Sequence, residues 1–386
     1  MLRLTNIYDN LMKKINIRNP NNIISYSIIA FIIVIIVIFL LYIRNTISLN
    51  TTTSIFGGSS NGKNCNLISR FFTSKPPLIS AVDSPELSNH GLRDFYIKSA
   101  YNCCCSGKFK NDFVNICALN SCIEQGVRML DFELYSIDNK PVVAASSINS
   151  YKTKETYNSI PIESVFATIN QKAFSSGSCP NYNDPLILHF RISSQNIKMY
   201  NALANIISSM FNNRVLGPTY SNEYNGKNLG EIPILSFKQK IIIFVDSSNP
   251  VYKNTKLYEY INMTSNSPFL HLIRYDNVKY TQDLNLENFN KKNMSIVLPD
   301  LSITNNNPNF NTTNNYGCQM LGMCFQNKDS NLQVYNDFFN ASRFAFVLKP
   351  EKMRYIPISI EKPPNLPEKY SYKPRNIRGE FYDYQI

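Results

Sequence analysis

Tryptophan is absent from the sequence, histidine occurs three times, and glycine supplies only 13 of 386 residues. With so few histidines and no two Cys-x-x-Cys pairs, a zinc site is not expected. Acidic residues are also in short supply, 27 against 39 Lys and Arg, giving a net charge of +12. Such a balance can favour nucleic acid or anionic membrane surfaces. The basic residues are scattered, however, with no Lys/Arg block carrying interleaved aromatics, so no nucleic-acid partner is expected. No internal repeat is visible. No cysteine precedes Cys65.

What is present is a hydrophobic share of 44%, enough for a sizeable core. Asn, Ile, Tyr and Lys recur throughout. That bias suits an A/T-rich genome, and with it a viral or host-derived membrane, but it carries no function.

One run stands apart. Residues 23–43 read IISYSIIAFIIVIIVIFLLYI, with no charge and only two serines. About twenty apolar residues span a bilayer as a helix, and a buried soluble helix would show a polar stripe. The run begins too far from Met1 and is too long for a signal-peptide core, and it lacks a small-x-small cleavage site. It reads as a retained signal anchor. Arg3, Lys13, Lys14 and Arg18 precede it, against one acid, Asp9, whereas only Arg44 follows closely. That asymmetry places the N-terminus in the cytosol and the C-terminal part in the lumen or outside.

All nine cysteines, Cys65, Cys103, Cys104, Cys105, Cys117, Cys122, Cys179, Cys318 and Cys324, lie beyond the run. A non-reducing compartment would allow disulfides among them, with the pairing open and at least one thiol left over. Sequons stand at Asn50, Asn262, Asn293, Asn311 and Asn340.

The pattern divides the chain into a cytosolic segment (1–22), a transmembrane helix (23–43) and a flexible Gly/Ser-rich tether (44–82). A globular domain (83–355) and a Pro-rich tail (356–386) follow. Within the domain RDFYIKSA, RMLDFELYSI, KPVVAASSI, DPLILHFRI and KQKIIIFVD read as strands. NDFVNICALNSCIEQG reads as an amphipathic helix with Phe113, Ile116, Cys117 and Ile123 on one face. Further helices are expected over residues 162–174 and over NIKMYNALANIISSMF. Strands alternating with helices imply parallel pairing in an α/β sheet or barrel. The longest irregular stretches are 216–233 and 304–316.

The order of motifs resembles the catalytic barrel of phosphoinositide-specific phospholipase C. YIKSAYNCCCSG, GVRMLDFELYSIDNKPVV and DPLILHF stand where that family's first half has its catalytic strands. GCQMLGMCFQ and FAFVLKPEKMR resemble its closing segments. The resemblance covers roughly residues 83 to 355. It implies a distorted TIM-type (β/α)8 barrel, preceded here by the transmembrane helix, with any site at the C-terminal ends of the strands.

The resemblance also implies a chemistry: phosphodiester cleavage with the inositol 2-hydroxyl as nucleophile. One histidine stabilises the phosphate charge, a second protonates the leaving group, and calcium is held by oxygen ligands. Carried over residue by residue, the first histidine is replaced by Tyr101. The second falls among Ala144, Ala145, Ser146 and Ser147. Asn102, Asp131 and Glu133 match calcium ligands, but Arg191 replaces the last acid. An Arg191 ion pair with Asp131 and Glu133 is expected to fill the old site. His189, two residues earlier on the same face, is a displaced catalyst or, on the better reading, a satisfied core histidine. Among the headgroup contacts, Asp246 would repel phosphate, and Ile296 and Leu298 replace a phosphate-binding arginine and a ring-stacking tyrosine.

The leading expectation is therefore an inactive, membrane-anchored binding or structural ectodomain with an unknown protein or glycan partner and no cofactor. The second is an active phosphodiesterase with a rearranged site using calcium, Tyr101, Asn102, Asp131, Glu133 and His189. The third is a phosphoinositide headgroup binder without turnover.

Overall fold

The protein is described by a computed structural model over residues 20–51, 60–74, 76–87, 89–148, 153–280, 284–357, 370 and 372–386. In chain order the longer elements begin with helices α1 (Pro20–Thr51) and α2 (Ser60–Thr73). Strand β1 (Phe95–Ala100), helix α3 (Ile116–Glu124) and strands β2 (Met129–Ile137), β3 (Lys140–Ala144) and β4 (Ile160–Pro161) follow. Next come helix α4 (Ile162–Lys172), strand β5 (Leu186–Ile192), helix α5 (Ile197–Phe211), then strands β6 (Ile241–Asp246), β7 (Met263–Ser265) and β8 (Leu270–Arg274). Helix α6 (Leu284–Lys292), strands β9 (Met294–Leu298) and β10 (Met320–Met323), helix α7 (Ser330–Ser342) and strand β11 (Phe346–Leu348) complete the larger unit.

The sheet order is β7-β6-β5-β2-β1-β10-β9-β8, with every neighbouring pair on this path parallel. The eight strands make a nearly closed barrel. Strands β3, β4 and β11 are antiparallel additions on its wall. Helices cover the outside, so the strands are buried on both faces. That explains runs such as Ile241–Val245, in which apolar residues follow one another without alternation. Gly126, between α3 and β2, has φ +73, a left-handed value that suits glycine at a helix end. Two residues on, the fully buried Arg128 guanidinium donates to the carbonyls of Ala173 (3.1 Å) and Asn181 (2.6 Å), tying the lead-in of β5 to that of β2.

Three expectations about the elements need revising. Phe113 precedes α3 rather than sharing its face, because Asn115 caps the helix through the amide of Cys117 (2.9 Å). The stretch expected to be a flexible tether contains α2, which buries Ile68 and Phe72 against the barrel and is cross-linked to α3 by a Cys65–Cys117 disulfide. The irregular stretch 304–316 contains a short helix, Phe310–Asn314.

The apolar run lies within α1. Side chains of this helix are described over residues 27–42, where the large apolar ones are all at least 48% exposed. Those sixteen residues are part of the run 23–43 and too few by themselves for a span, and among the described residues no helix is long and apolar enough to cross a membrane. The flanking Arg3, Lys13, Lys14 and Arg18 lie outside the described residues, as does much of the Pro-rich tail, residues 358–369 and 371. The smaller unit, residues 355–386, carries a two-stranded hairpin of β12 (Asn376–Gly379) and β13 (Tyr382–Gln385), which the Pro-rich reading did not anticipate.

Two lysines lie inside the larger unit. Lys98 donates to the Gln125 carbonyl (2.8 Å), and Lys349 to the carbonyls of Asn290 (2.8 Å) and Gly317 (3.4 Å). Burial pushes both down from the usual 10.5 to about 7. Between those values the unfolded chain binds more protons than the folded one, so stability rises with pH. Burial pushes up the thiols of Cys103, Cys104, Cys105, Cys179, Cys318 and Cys324 from 9.0, so above that value the unfolded chain loses six protons that the folded one keeps, more than the two it holds on the lysines. Thermal unfolding of the full chain should therefore show a midpoint that climbs from pH 7 towards about 9 and then declines. A midpoint falling steadily from pH 7 contradicts the burial of both ammonium groups.

Candidate functional site

The site is built on β2, β5 and the turn after β1. Strands β2 and β5 pair in register, with Asp131 opposite His189 and Glu133 opposite Arg191. Alternate residues on a strand share a face, so both acids and both bases come together. The turn after β1 adds Asn102, held at φ 45 with its amide donating to Asp131 Oδ2 (3.2 Å).

One guanidinium organises this cluster. Arg191 Nε and Nη2 donate to Asp131 (3.0 Å each), Nη1 to Glu133 Oε2 (3.3 Å) and Nη2 to Asn102 Oδ1 (2.7 Å). The Tyr101 ring supports it, 4.8 Å from ring centroid to guanidinium carbon. Tyr101 is buried and packs edge-on against Phe109. Burial pushes its hydroxyl up, against the pull of Arg191 and Arg274. Asp131 is fully buried, which alone would raise its carboxyl. The Arg191 charge and the His189 hydrogen bond outweigh burial and hold it well below the usual carboxylate range.

His189 is fully buried and both ring nitrogens have partners, Nδ1 with Asp131 Oδ1 (2.8 Å) and Nε2 with Ser265 Oγ (3.0 Å). It offers no nitrogen to a substrate, which is the core-histidine arrangement. Glu133 also accepts from the Tyr135 hydroxyl and from the Ser146 amide (3.3 Å).

The expected ion pair of Arg191 with Asp131 and Glu133 is therefore present, and Asn102 and Tyr101 join it. Ala144 and Ala145 are buried with no titratable atom. Ser146 and Ser147 face a carboxylate that reasoning from sequence missed. Glu155 accepts from the Ser146 hydroxyl (3.1 Å), the Ser147 amide (2.7 Å) and the Ser147 hydroxyl. Burial opposes its charge, but hydrogen bonds from Lys110 and Ser147 win and bring its carboxyl down to about 2. It is thus a committed anion, not a proton donor near neutrality. Ile296 and Leu298 are fully buried in β9 and present nothing to a headgroup.

Above the cluster lies a solvent-open cleft of about 170 Å³ at the C-terminal ends of the strands. Glu133 and Arg191 form part of its floor. Asp246, Ser248, Asn249, Asn266 and Arg274 line its sides, with Ile148 and Leu301 at the edge. Asp246 is turned inward on its own loop, accepting from Ser248 Oγ (2.7 Å) and Asn266 Nδ2 (2.9 Å). Arg274 donates to the Pro299 carbonyl (2.7 Å). Its place at the end of β8 was not legible in sequence, because no motif marks that strand.

The donor set fits calcium poorly. The three oxygens that would hold the ion, from Asn102, Asp131 and Glu133, already accept from one guanidinium. A dication about 4 Å from that cation would be repelled by roughly 8 kcal/mol at an effective dielectric near 20.

Residues 88–247 match the family described as Phosphatidylinositol-specific phospholipase C, X domain. That match spans less than half of the chain, and the barrel is similar in fold to that of phosphatidylinositol-specific phospholipase C. Among solved structures, PLC21 of S. officinalis matches with a TM-score of 0.57 and 16% identity, over 72% of this chain and 39% of that one. PLC21 of L. pealei matches with 0.56 and 17%, over the same shares. At these identities the likeness is one of fold, and the match takes in about two fifths of each of those proteins. No curated protein matches the chain in sequence.

Proposed function

We propose that this phospholipase C-like barrel is catalytically silent and serves as a binding ectodomain, held by α1 on the non-cytosolic side of a membrane. The observation that carries this reading is the Arg191 guanidinium, bonded at once to Asp131, Glu133 and Asn102. It supplies internally the positive charge that a metal would bring, and it leaves those oxygens no role in holding one.

Proton transfer fails as well. Phosphodiester cleavage needs a group that titrates near neutrality within reach of the leaving oxygen. Tyr101 and His189 are both buried, the histidine with both nitrogens partnered. Losing the general acid or the charge stabilisation each costs on the order of 10²-fold or more.

What remains is a cleft with hydroxyls, amides and one arginine on its walls and an apolar edge. That lining suits a protein loop or a glycan better than a polyphosphate, since Asp246 and Glu133 share the cleft with Arg191 and Arg274.

The test is turnover. Full chain in proteoliposomes, given phosphatidylinositol or its bisphosphate with calcium or with chelator, should hydrolyse neither above the background of empty vesicles. Calcium-dependent hydrolysis that is lost in Asn102→Ala or Glu133→Ala would overturn the reading and restore an active, rearranged site.

A further inference from the structure

Helix α2 is fastened at both ends. In its first turns Asn61 Oδ1 accepts from Asn115 Nδ2 (3.2 Å) and Ser106 Oγ (3.5 Å), and Asn64 Nδ2 donates to Asp112 Oδ1 (3.0 Å). The Cys65–Cys117 disulfide follows directly. At its other end the Phe72 ring lies 5.9 Å from Phe325, and the Lys328 ammonium sits 4.6 Å over Phe71.

These partners share one place in the fold. Residues 101–115 leave the C-terminal end of β1, and residues 324–329 leave that of β10. The two segments meet at the Gly107 carbonyl, which accepts from Gln326 (3.3 Å) and from Asn305 (3.1 Å) beyond β9. Helix α2 therefore lies at the mouth end of the barrel wall. Only after it does the chain run to the opposite end, where Leu78 bonds Asn340 (3.1 Å) and Val82 bonds Asp184 (2.7 Å).

We propose that α2 and its disulfide form a strut that makes the mouth the membrane-proximal end of the barrel, so that the cleft opens towards the lipid surface carrying α1. The proposal rests on the anchorage proposed above. Eight residues, 52–59, separate Thr51 from Ser60. Fully extended they reach at most roughly 30 Å, whereas a free tether over residues 44–82 would reach about 130 Å. The strut thus removes most of the slack and fixes where the remainder attaches. The rim at this end also exposes apolar side chains to a lipid partner: Ile148 (56%), Leu301 (41%) and Ile303 (51%).

The experiment places a fluorophore on Thr304→Cys at the mouth or on Glu86→Cys at the base of the full chain. The chain is reconstituted into phosphatidylcholine vesicles doped with a headgroup-nitroxide lipid. Quenching at Thr304 should exceed that at Glu86 several times over, and the difference should vanish in the Cys65→Ser/Cys117→Ser background. If that double variant does not fold, a phosphine reductant added to the assembled vesicles should erase the difference instead. A chain that washes off the vesicles in alkaline carbonate sinks the anchorage and the proposal together. A chain that stays, with the base probe quenched as strongly as the mouth probe, overturns the strut alone. Persistence of the difference after the cross-link is cut also overturns it.

Discussion

Arg191→Ala is expected to destabilise the barrel by about 3–5 kcal/mol, the cost of removing one partner from a buried ionic cluster. Asp131 and Glu133 are 0% and 4% exposed, and in the variant they would keep their charges with only neutral donors around them. Chemical unfolding of wild type and variant at neutral pH measures the difference, and a loss within the scatter of surface substitutions would show that the guanidinium does not neutralise the site. The pH dependence sharpens the test. In the wild type the depressed Asp131 carboxyl adds stability that is fully present above its ordinary value of 3.8 and is lost as pH falls through its lower folded value. In the variant burial dominates and raises that carboxyl, so the penalty is largest at neutral pH and shrinks on acidification. The two stability curves should converge towards acid. Arg191→Asp extends the argument: with a third carboxylate in the cluster, calcium should raise the thermal midpoint of the variant and leave that of the wild type unmoved, because only the variant offers an anionic cage.

The Arg191 pair was legible because strands have a period of two. Asp131 and Glu133 had to share a face, and the motif order placed His189 and Arg191 on the neighbouring strand. What that reasoning missed comes from distant parts of the chain. Ser265 reaches His189 across 76 residues, and Arg274 enters the cleft from a strand without a motif. Glu155 is nearer in sequence, but it meets Ser146 and Ser147 only because the chain folds back after β3. The docking of α2 was hidden for a different reason. The Gly/Ser-rich stretch before it argues for flexibility, and Ile68 and Phe72 become a buried face only once the β1 and β10 loops are present to receive them. Cysteine count permitted disulfides but could not choose Cys65 and Cys117 among nine candidates. The remaining described cysteines are buried free thiols, packed as small apolar residues on α3 (Cys122), in the turn after β1 (Cys103, Cys104 and Cys105), before β5 (Cys179) and on either side of β10 (Cys318 and Cys324). The sequons divide in the same way: Asn262 is buried with its side chain bonded to Ile243 and Tyr220, whereas Asn311 is exposed.

Removing the Cys65–Cys117 cross-link, by Cys65→Ser/Cys117→Ser or by reduction, is expected to cost about 4 kcal/mol if the loop of 52 residues that it closes is opened in the unfolded chain. How that loss is distributed follows from where α2 sits. The helix contributes Ile68 and Phe72 to the core, but the barrel strands pair among themselves without it. The hydrogen bonds of Asn61 and Asn64 are partly solvent-exposed, worth about 1 kcal/mol each or less. Once the covalent tie is gone, little besides Ile68, Phe71, Phe72 and these bonds opposes the entropy of releasing residues 60–74. Amide exchange should therefore accelerate first in α2 and in the 101–115 turn, while β5 and β6 keep the protection of the intact barrel. Uniform loss of protection across β5 and β6 would instead mean that the cross-link sustains the barrel itself, and that α2 is part of the core rather than a strut laid against it.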